Sequence, residues 1–128
     1  MDNLTFGDVF RFKEKEYIFL ASTQEIIYAA FILNSVQSKQ VITQFDRQRN
    51  AEKMKSNPAY CFIQLRTEEF KDRIAHFART DAGEYSKIDN ALYFDKIGKL
   101  NNQDIEEIKR EIQSGPVPIR LKELIAEL

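Results

Sequence analysis

The side chains that could do chemistry in this sequence are mostly cations and carboxylates, because histidine and cysteine each occur only once. A zinc site draws its ligands mainly from cysteine and histidine, and a Ser or Cys nucleophile needs a histidine as its base. His76 and Cys61 alone supply neither set, and their spacing does not predict that they meet. Cys61 lies in the apolar run 60–63, which is typical of a buried structural thiol. The four glycines are isolated, so they form no phosphate-binding loop. We therefore expect no metal and no cofactor.

A basic segment at residues 34–57 is the candidate for binding RNA. Its five cationic residues outnumber its two acidic ones. Single-stranded nucleic acid is held by cations on its phosphates and by aromatic rings against its bases. The predicted RNA-binding residues are Lys39, Phe45, Arg47, Arg49, Lys53 and Lys55. The alternative is a solvated surface loop that contains some helix.

The segment 67–79 holds the candidate catalytic residues Arg73, His76 and Arg79. Cleavage of RNA needs a group that activates the 2′-hydroxyl and a cation that stabilises the developing charge. The spacing of apolar residues permits a helix throughout this segment. A strand would place Arg73 and Arg79 on one face and His76 on the other, and a short helix followed by a strand also fits. Periodicity does not decide among the three.

The elements around these residues predict an α+β chain. Alternating or continuous apolar residues at 9–13, 17–21 and 26–33 indicate three antiparallel strands, and the last run is too short to favour a helix. Further strands are predicted at 60–65 and 91–94. Near the end, Asn101 or Asn102 caps a helix that Gly115 and Pro116 terminate, and a second, shorter amphipathic helix follows Pro118.

Length and charge bound the classes of function. The chain has 128 residues, which suits one domain over 1–128, and its 19 basic and 20 acidic residues give a net charge of −1. So small a net charge gives no global attraction to nucleic acid or membrane, and a site for either has to be local. No secretory signal or membrane-spanning run is evident at the N-terminus or elsewhere, so a cytoplasmic location is expected.

Three stretches resemble the MazF/PemK-like toxins of bacterial toxin–antitoxin systems. They are Phe6–Phe10 (FGDVF), the pair 17–21 and 26–32 (YIFLA and IIYAAFI), and 95–100 (DKIGKL) running into a helix. The resemblance implies an SH3-like antiparallel β-barrel with a C-terminal helix and a short terminal helix. It also implies an endoribonuclease that acts on single-stranded RNA, with an antitoxin protein and a second copy of the chain as partners.

The sequence departs from that family where its chemistry lies. Glu16 and Tyr17 stand where the family's RNA-cleaving members have an Arg-Pro pair. Leu33 and Asn34 stand where a hydroxyl residue is expected, although Ser35 is close. Two hypotheses follow. One is an RNA-binding or RNA-cleaving protein, and the other is a non-catalytic protein-interaction module that uses its terminal helices. No residue pattern supports the third alternative, an enzyme that relies on carboxylates.

Overall fold

The chain forms one antiparallel sheet accompanied by helices. The computed structural model describes residues 4–12, 14–23, 26–48, 60–78, 84–86, 95–114 and 119–128. Within these ranges the strands are β1 (Asp8–Phe12), β2 (Lys15–Ser22), β3 (Ile26–Ile32), β4 (Tyr60–Gln64), β5 (Ile74–Ala78), β6 (Glu84–Ser86) and β7 (Asp95–Lys99). The helices are α1 (Ser35–Gln48), α2 (Asn102–Ser114) and α3 (Ile119–Ala126), with a 3₁₀ turn at Glu68–Phe70. The α+β prediction is confirmed.

The strand order is β4-β5-β3-β2-β1-β7, with β6 paired to β3. All pairings are antiparallel. In the part of the chain that the structure describes, β4 and β7 do not pair with each other, so no backbone ladder closes the sheet. The three strands predicted in the first third of the sequence are confirmed, including the interpretation of residues 26–32 as a strand.

Apolar residues cover both faces of the central strands, because neighbouring side chains on a strand point to opposite faces. Ile18 and Leu20 of β2 join the main core, whereas Tyr17 and Phe19 join a second, aromatic-rich cluster. The rings of Tyr17 and Phe10 stack at 5.4 Å in that second cluster. This two-sided burial explains why β2 reads as a continuous apolar run.

Helices α2 and α3 cover the main core from one side. Their buried apolar residues are Ile108, Ile112, Leu121 and Ile125, all in the same cluster as Ile18 and Leu20. Burying each such side chain stabilises the fold by roughly 1.5–3 kcal/mol. Asn101 caps α2, since its side-chain oxygen accepts a hydrogen bond from the Asp104 N–H at 2.9 Å. The predicted cap and both predicted C-terminal helices are confirmed.

Asp104 joins the segment after β4 to the segment after β7. Its buried carboxylate accepts hydrogen bonds from the backbone N–H groups of Arg66 and Thr67 and from the Thr67 hydroxyl at 2.6 Å. The Thr67 oxygen in turn accepts a hydrogen bond from the Asn101 N–H at 2.8 Å. The two ends of the strand order are therefore connected by side-chain hydrogen bonds.

The segment 67–79 follows the third alternative of the sequence, a short helical turn and then a strand. The 3₁₀ turn ends at Phe70, and β5 begins at Ile74. Asp72 lies between them with a left-handed φ of 65°, a conformation that Asp tolerates better than most residues. Strands β6 and β7 were not predicted, and the strand predicted at 91–94 lies outside the described residues.

Helix α1 forms in the basic segment and is anchored at its first turn. The Asn34 side-chain oxygen accepts a hydrogen bond from the Gln37 N–H at 2.8 Å and so caps the helix. The buried Ser38 hydroxyl donates to the Leu33 carbonyl and accepts a hydrogen bond from the Ile74 N–H at 3.0 Å. These bonds hold the start of α1 between the end of β3 and the start of β5. No helix within the described ranges is long and apolar enough to cross a membrane.

Candidate functional site

Arg73 is the best-positioned of the predicted site residues. It lies one residue before β5, and its Nε donates a hydrogen bond to the Leu33 carbonyl at 2.9 Å. Its Nη1 lies 2.6 Å from Oε1 of Glu16 at the start of β2. The Arg73 side chain is 18% exposed and that of Glu16 is 19% exposed. These contacts fix the guanidinium in position.

One surface depression next to Arg73 is rich in cations and is called the lysine depression here. It has a volume of about 410 Å³ and is lined by Ser35, Lys39, Ile42, Gln64, Lys71, Asp72 and Arg73. Three of these side chains are cationic and one is a carboxylate. The Asp72 carboxylate accepts a hydrogen bond from the Gln64 amide at 2.9 Å. The excess of positive charge makes the depression suitable for binding an anion.

A second depression adjoins the first at Arg73 and is called the glutamate depression here. Its volume is about 340 Å³, and its polar lining consists of Glu14, Lys15, Glu16, Asn34, Gln37, Arg73 and His76. Among the described lining residues, the cations Lys15 and Arg73 are matched by the carboxylates Glu14 and Glu16, so their formal charges cancel. Ile32 and Leu33 add apolar surface. The mixture of apolar wall and hydrogen-bonding groups is typical of a small-ligand site.

The structure brings three of the predicted site residues together. Lys39 and Arg73 line the lysine depression, and Arg73 and His76 line the glutamate depression. His76 pairs with Phe31 across the sheet and with Phe62 on its other side. If the segment 67–79 were a strand, Arg73 and His76 would lie on opposite faces of the sheet. In the structure Arg73 precedes β5, and both residues line the same depression.

The structure does not describe the side-chain positions of the remaining predicted residues. Phe45 and Arg47 lie within α1, and their side chains are not described. Arg49, Lys53, Lys55 and Arg79 lie outside the described residues. Cys61 lies in β4, but its side chain is also not described.

Two residues that matter for the charge of the site, Lys71 and Glu16, are not site candidates by sequence pattern alone. Lys71 was not singled out, although its place beside Asp72 and Arg73 marks a polar break between the 3₁₀ turn and β5. Glu16 was noted only as a departure from the toxin family. Its contact with Arg73 joins two distant parts of the sequence, so no local pattern could reveal it. Within the described residues, no group of three or more His, Cys, Asp or Glu side chains could hold a metal ion.

Comparison of the chain with protein-family models, with curated proteins and with solved structures finds no match. Function is therefore inferred from the two depressions and from the resemblance of three sequence stretches to the MazF/PemK-like toxins.

Proposed function

We propose that this protein binds single-stranded RNA, with phosphates in the lysine depression and Arg73 between that depression and its neighbour. The observation that supports this most is the fixed guanidinium of Arg73 on the boundary of both depressions, with Lys39 and Lys71 beside it. A guanidinium that is already held in place loses little conformational freedom when it binds a phosphate. The protein thus has a local cationic surface. A chain with a net charge near zero needs such a surface if it is to bind a polyanion.

The proposal includes the finer fold, an SH3-like barrel of the MazF/PemK type. The hydrogen bonds of Asp104 support it, since they connect the two ends of the strand order where no ladder does. The position of Arg73 supports it as well. Glu16 stands where the family has its Arg-Pro arginine, and Arg73 brings a guanidinium to within 2.6 Å of Glu16. The positive charge of the toxin site would then be supplied from the residue before β5 instead of from β2.

RNA cleavage is a second candidate function, because Arg73 and His76 line one depression. In this reaction His76 accepts the proton of a 2′-hydroxyl, and the 2′-oxygen attacks phosphorus. The bond to the 5′-oxygen breaks, a water molecule protonates that oxygen, and the hydroxide so formed takes back the proton held by His76. Arg73 stabilises the charge that develops on the phosphate oxygens. The products are a 2′,3′-cyclic phosphate and a 5′-hydroxyl.

The interaction-module alternative has less support from the structure. The apolar residues Leu121 and Ile125 of α3 are buried in the core of the chain itself. Ile119 and Leu128 are exposed, at 75% and 68%, but Ile119 is the first residue of α3 and Leu128 lies two residues beyond its end. Isolated exposed apolar residues are common on protein surfaces and do not by themselves mark a partner site.

RNA binding is tested with the double variant Lys39→Ala/Lys71→Ala and a fluorescently labelled single-stranded RNA. We expect its affinity to fall about tenfold or more, because two phosphate contacts are lost. The slope of log affinity against log salt should decrease in magnitude by about 1.4. Arg120→Ala/Lys122→Ala on α3 is the matched control, since it removes two cations from a helix that lines neither depression.

Equal affinities of the two double variants would contradict the proposal, as would the absence of salt-dependent binding by the unaltered protein. Cleavage is followed on the same RNA by gel electrophoresis. A product with a 2′,3′-cyclic phosphate that disappears in His76→Ala supports the second candidate. Intact RNA after prolonged incubation leaves binding as the function.

A further inference from the structure

We propose that the glutamate depression is a guanine-binding subsite, in which the Glu16 carboxylate accepts two hydrogen bonds from the base. This inference rests on the proposed RNA binding and adds the identity of the base. It starts from the contrast in charge between the two depressions. Among the lining residues that the structure describes, the lysine depression has three cations and one carboxylate, whereas the glutamate depression has two of each. A phosphate is attracted to the first, and a neutral base is better suited to the second.

The Glu16 carboxylate is held in place before any ligand binds. Oε1 lies 2.6 Å from Arg73 Nη1, and Oε2 lies 3.6 Å from Arg11 Nη2. A carboxylate offers about four acceptor positions on its two oxygens, so these ion pairs leave positions for further donors. Because its orientation is already set by Arg73, Glu16 loses little freedom on binding a base.

Guanine matches this acceptor better than the other three bases. A carboxylate binds best to two adjacent N–H donors, which it meets with its two oxygens. The Watson–Crick edge of guanine has such a pair in N1–H and the N2 amino group. Adenine and cytosine each offer one amino group beside an acceptor nitrogen, and uracil offers one N–H between two carbonyls. Sequence-specific recognition of single-stranded RNA commonly uses this edge.

The rest of the lining is compatible with a base attached to a phosphate backbone. The exposed amide side chains of Asn34 and Gln37 line the same depression and can donate to the guanine O6. Arg73 lines both depressions, so a nucleotide with its base on Glu16 directs its phosphate toward Lys39 and Lys71. The volume of about 340 Å³ falls within the range of small-ligand sites, roughly 300–1,000 Å³.

The test compares short uridine-rich RNAs that differ at one central base, by fluorescence anisotropy with the full chain. We expect guanine to bind about tenfold or more tightly than adenine, cytosine or uracil. Inosine lacks the N2 amino group and should lose a large part of this preference. Glu16→Gln should abolish the preference, because the amide nitrogen of glutamine cannot accept a hydrogen bond from the base. Glu123→Gln removes the same charge from α3, outside both depressions, and should keep the preference.

Each outcome separates the subsite from RNA binding in general. Salt-dependent binding that needs Lys39 and Lys71 but shows no preference for guanine overturns the subsite and leaves the proposed function standing. A preference for another base, equal binding of inosine and guanine, or a guanine preference that survives Glu16→Gln also overturns it. Absence of any RNA binding overturns both proposals. The base series on the unaltered protein decides the matter even if Glu16→Gln fails to fold.

Discussion

Among single side chains, Arg73 and Glu16 are each fixed by the other. Their contact at 2.6 Å joins two side chains that are each about four-fifths buried. Arg73 is also held by its hydrogen bond to the Leu33 carbonyl. Removal of one partner from a buried pair leaves a charge without compensation, which costs more than the pair contributes. A substitution of Glu16 or Arg73 therefore needs a check of folding. Charge at the site is better probed through residues whose replacement leaves this contact intact.

Asp72 is such a residue. Asp72→Asn should bind RNA about threefold more tightly than the unaltered protein, because it removes the one carboxylate among the described residues that line the lysine depression. Asn tolerates the left-handed φ of 65°, and its side-chain oxygen can still accept the hydrogen bond from Gln64. Anisotropy titration at low and physiological salt measures the change.

The matched control is Asp95→Asn, which removes one exposed carboxylate from the start of β7, outside both depressions. If the two variants bind RNA with the same affinity, the lysine depression is not where the phosphates bind.

At the level of helices and strands, α2 has a second role besides covering the core. Its Asp104 ties the segment after β4 to the segment after β7 through buried hydrogen bonds. Asp104→Asn replaces one acceptor oxygen by an amide nitrogen that faces N–H donors. We expect a loss of about 2–4 kcal/mol in the free energy of unfolding, since hydrogen bonds to a charged group contribute about 1.5–3 kcal/mol each.

Urea denaturation followed by circular dichroism measures this loss. Glu123→Gln on the exposed side of α3 is the control and should change stability by no more than about 0.5 kcal/mol. Similar midpoints for both variants would show that the Asp104 hydrogen bonds are not needed to hold the strand ends together.

The elements were predictable where the pattern was local and long. The continuous apolar run from Tyr17 to Leu20 indicates a buried strand, and Asn101 or Asn102 marks the start of α2. The 3₁₀ turn and β5 were ambiguous because neither is long enough to establish a period. Strand β7 has exposed or half-buried residues throughout and therefore lacks the apolar pattern of a strand.

The site was predictable in part, for a related reason. Residue type and local charge single out Lys39 as a candidate RNA contact and Arg73 and His76 as catalytic candidates, and the structure places all three along the two depressions. The pairing of Arg73 with Glu16 depends on tertiary structure, and so does the burial of Asp104. An acidic residue in the first turn of a helix is usually exposed to solvent, so its sequence position gave no sign that it anchors two strand ends.

For the chain as a whole, a net charge of −1 coexists with a cationic surface around one arginine. The uneven distribution matters because exposed charges act over only about 8 Å at physiological salt. RNA is therefore expected to sense the local surface and not the total charge. Other cations, such as Lys96 and Lys99, pair with the buried Asp8 on a different part of the sheet.

Mapping the RNA contact by NMR distinguishes these surfaces directly. The labelled protein is titrated with a short single-stranded RNA, and backbone amide shifts are followed residue by residue. We predict that the largest shifts fall at residues 33–39 and 71–76, where the two depressions meet. Shifts concentrated at 96–99 or on α3, or no shifts at RNA concentrations that saturate anisotropy, would contradict the placement of the RNA site.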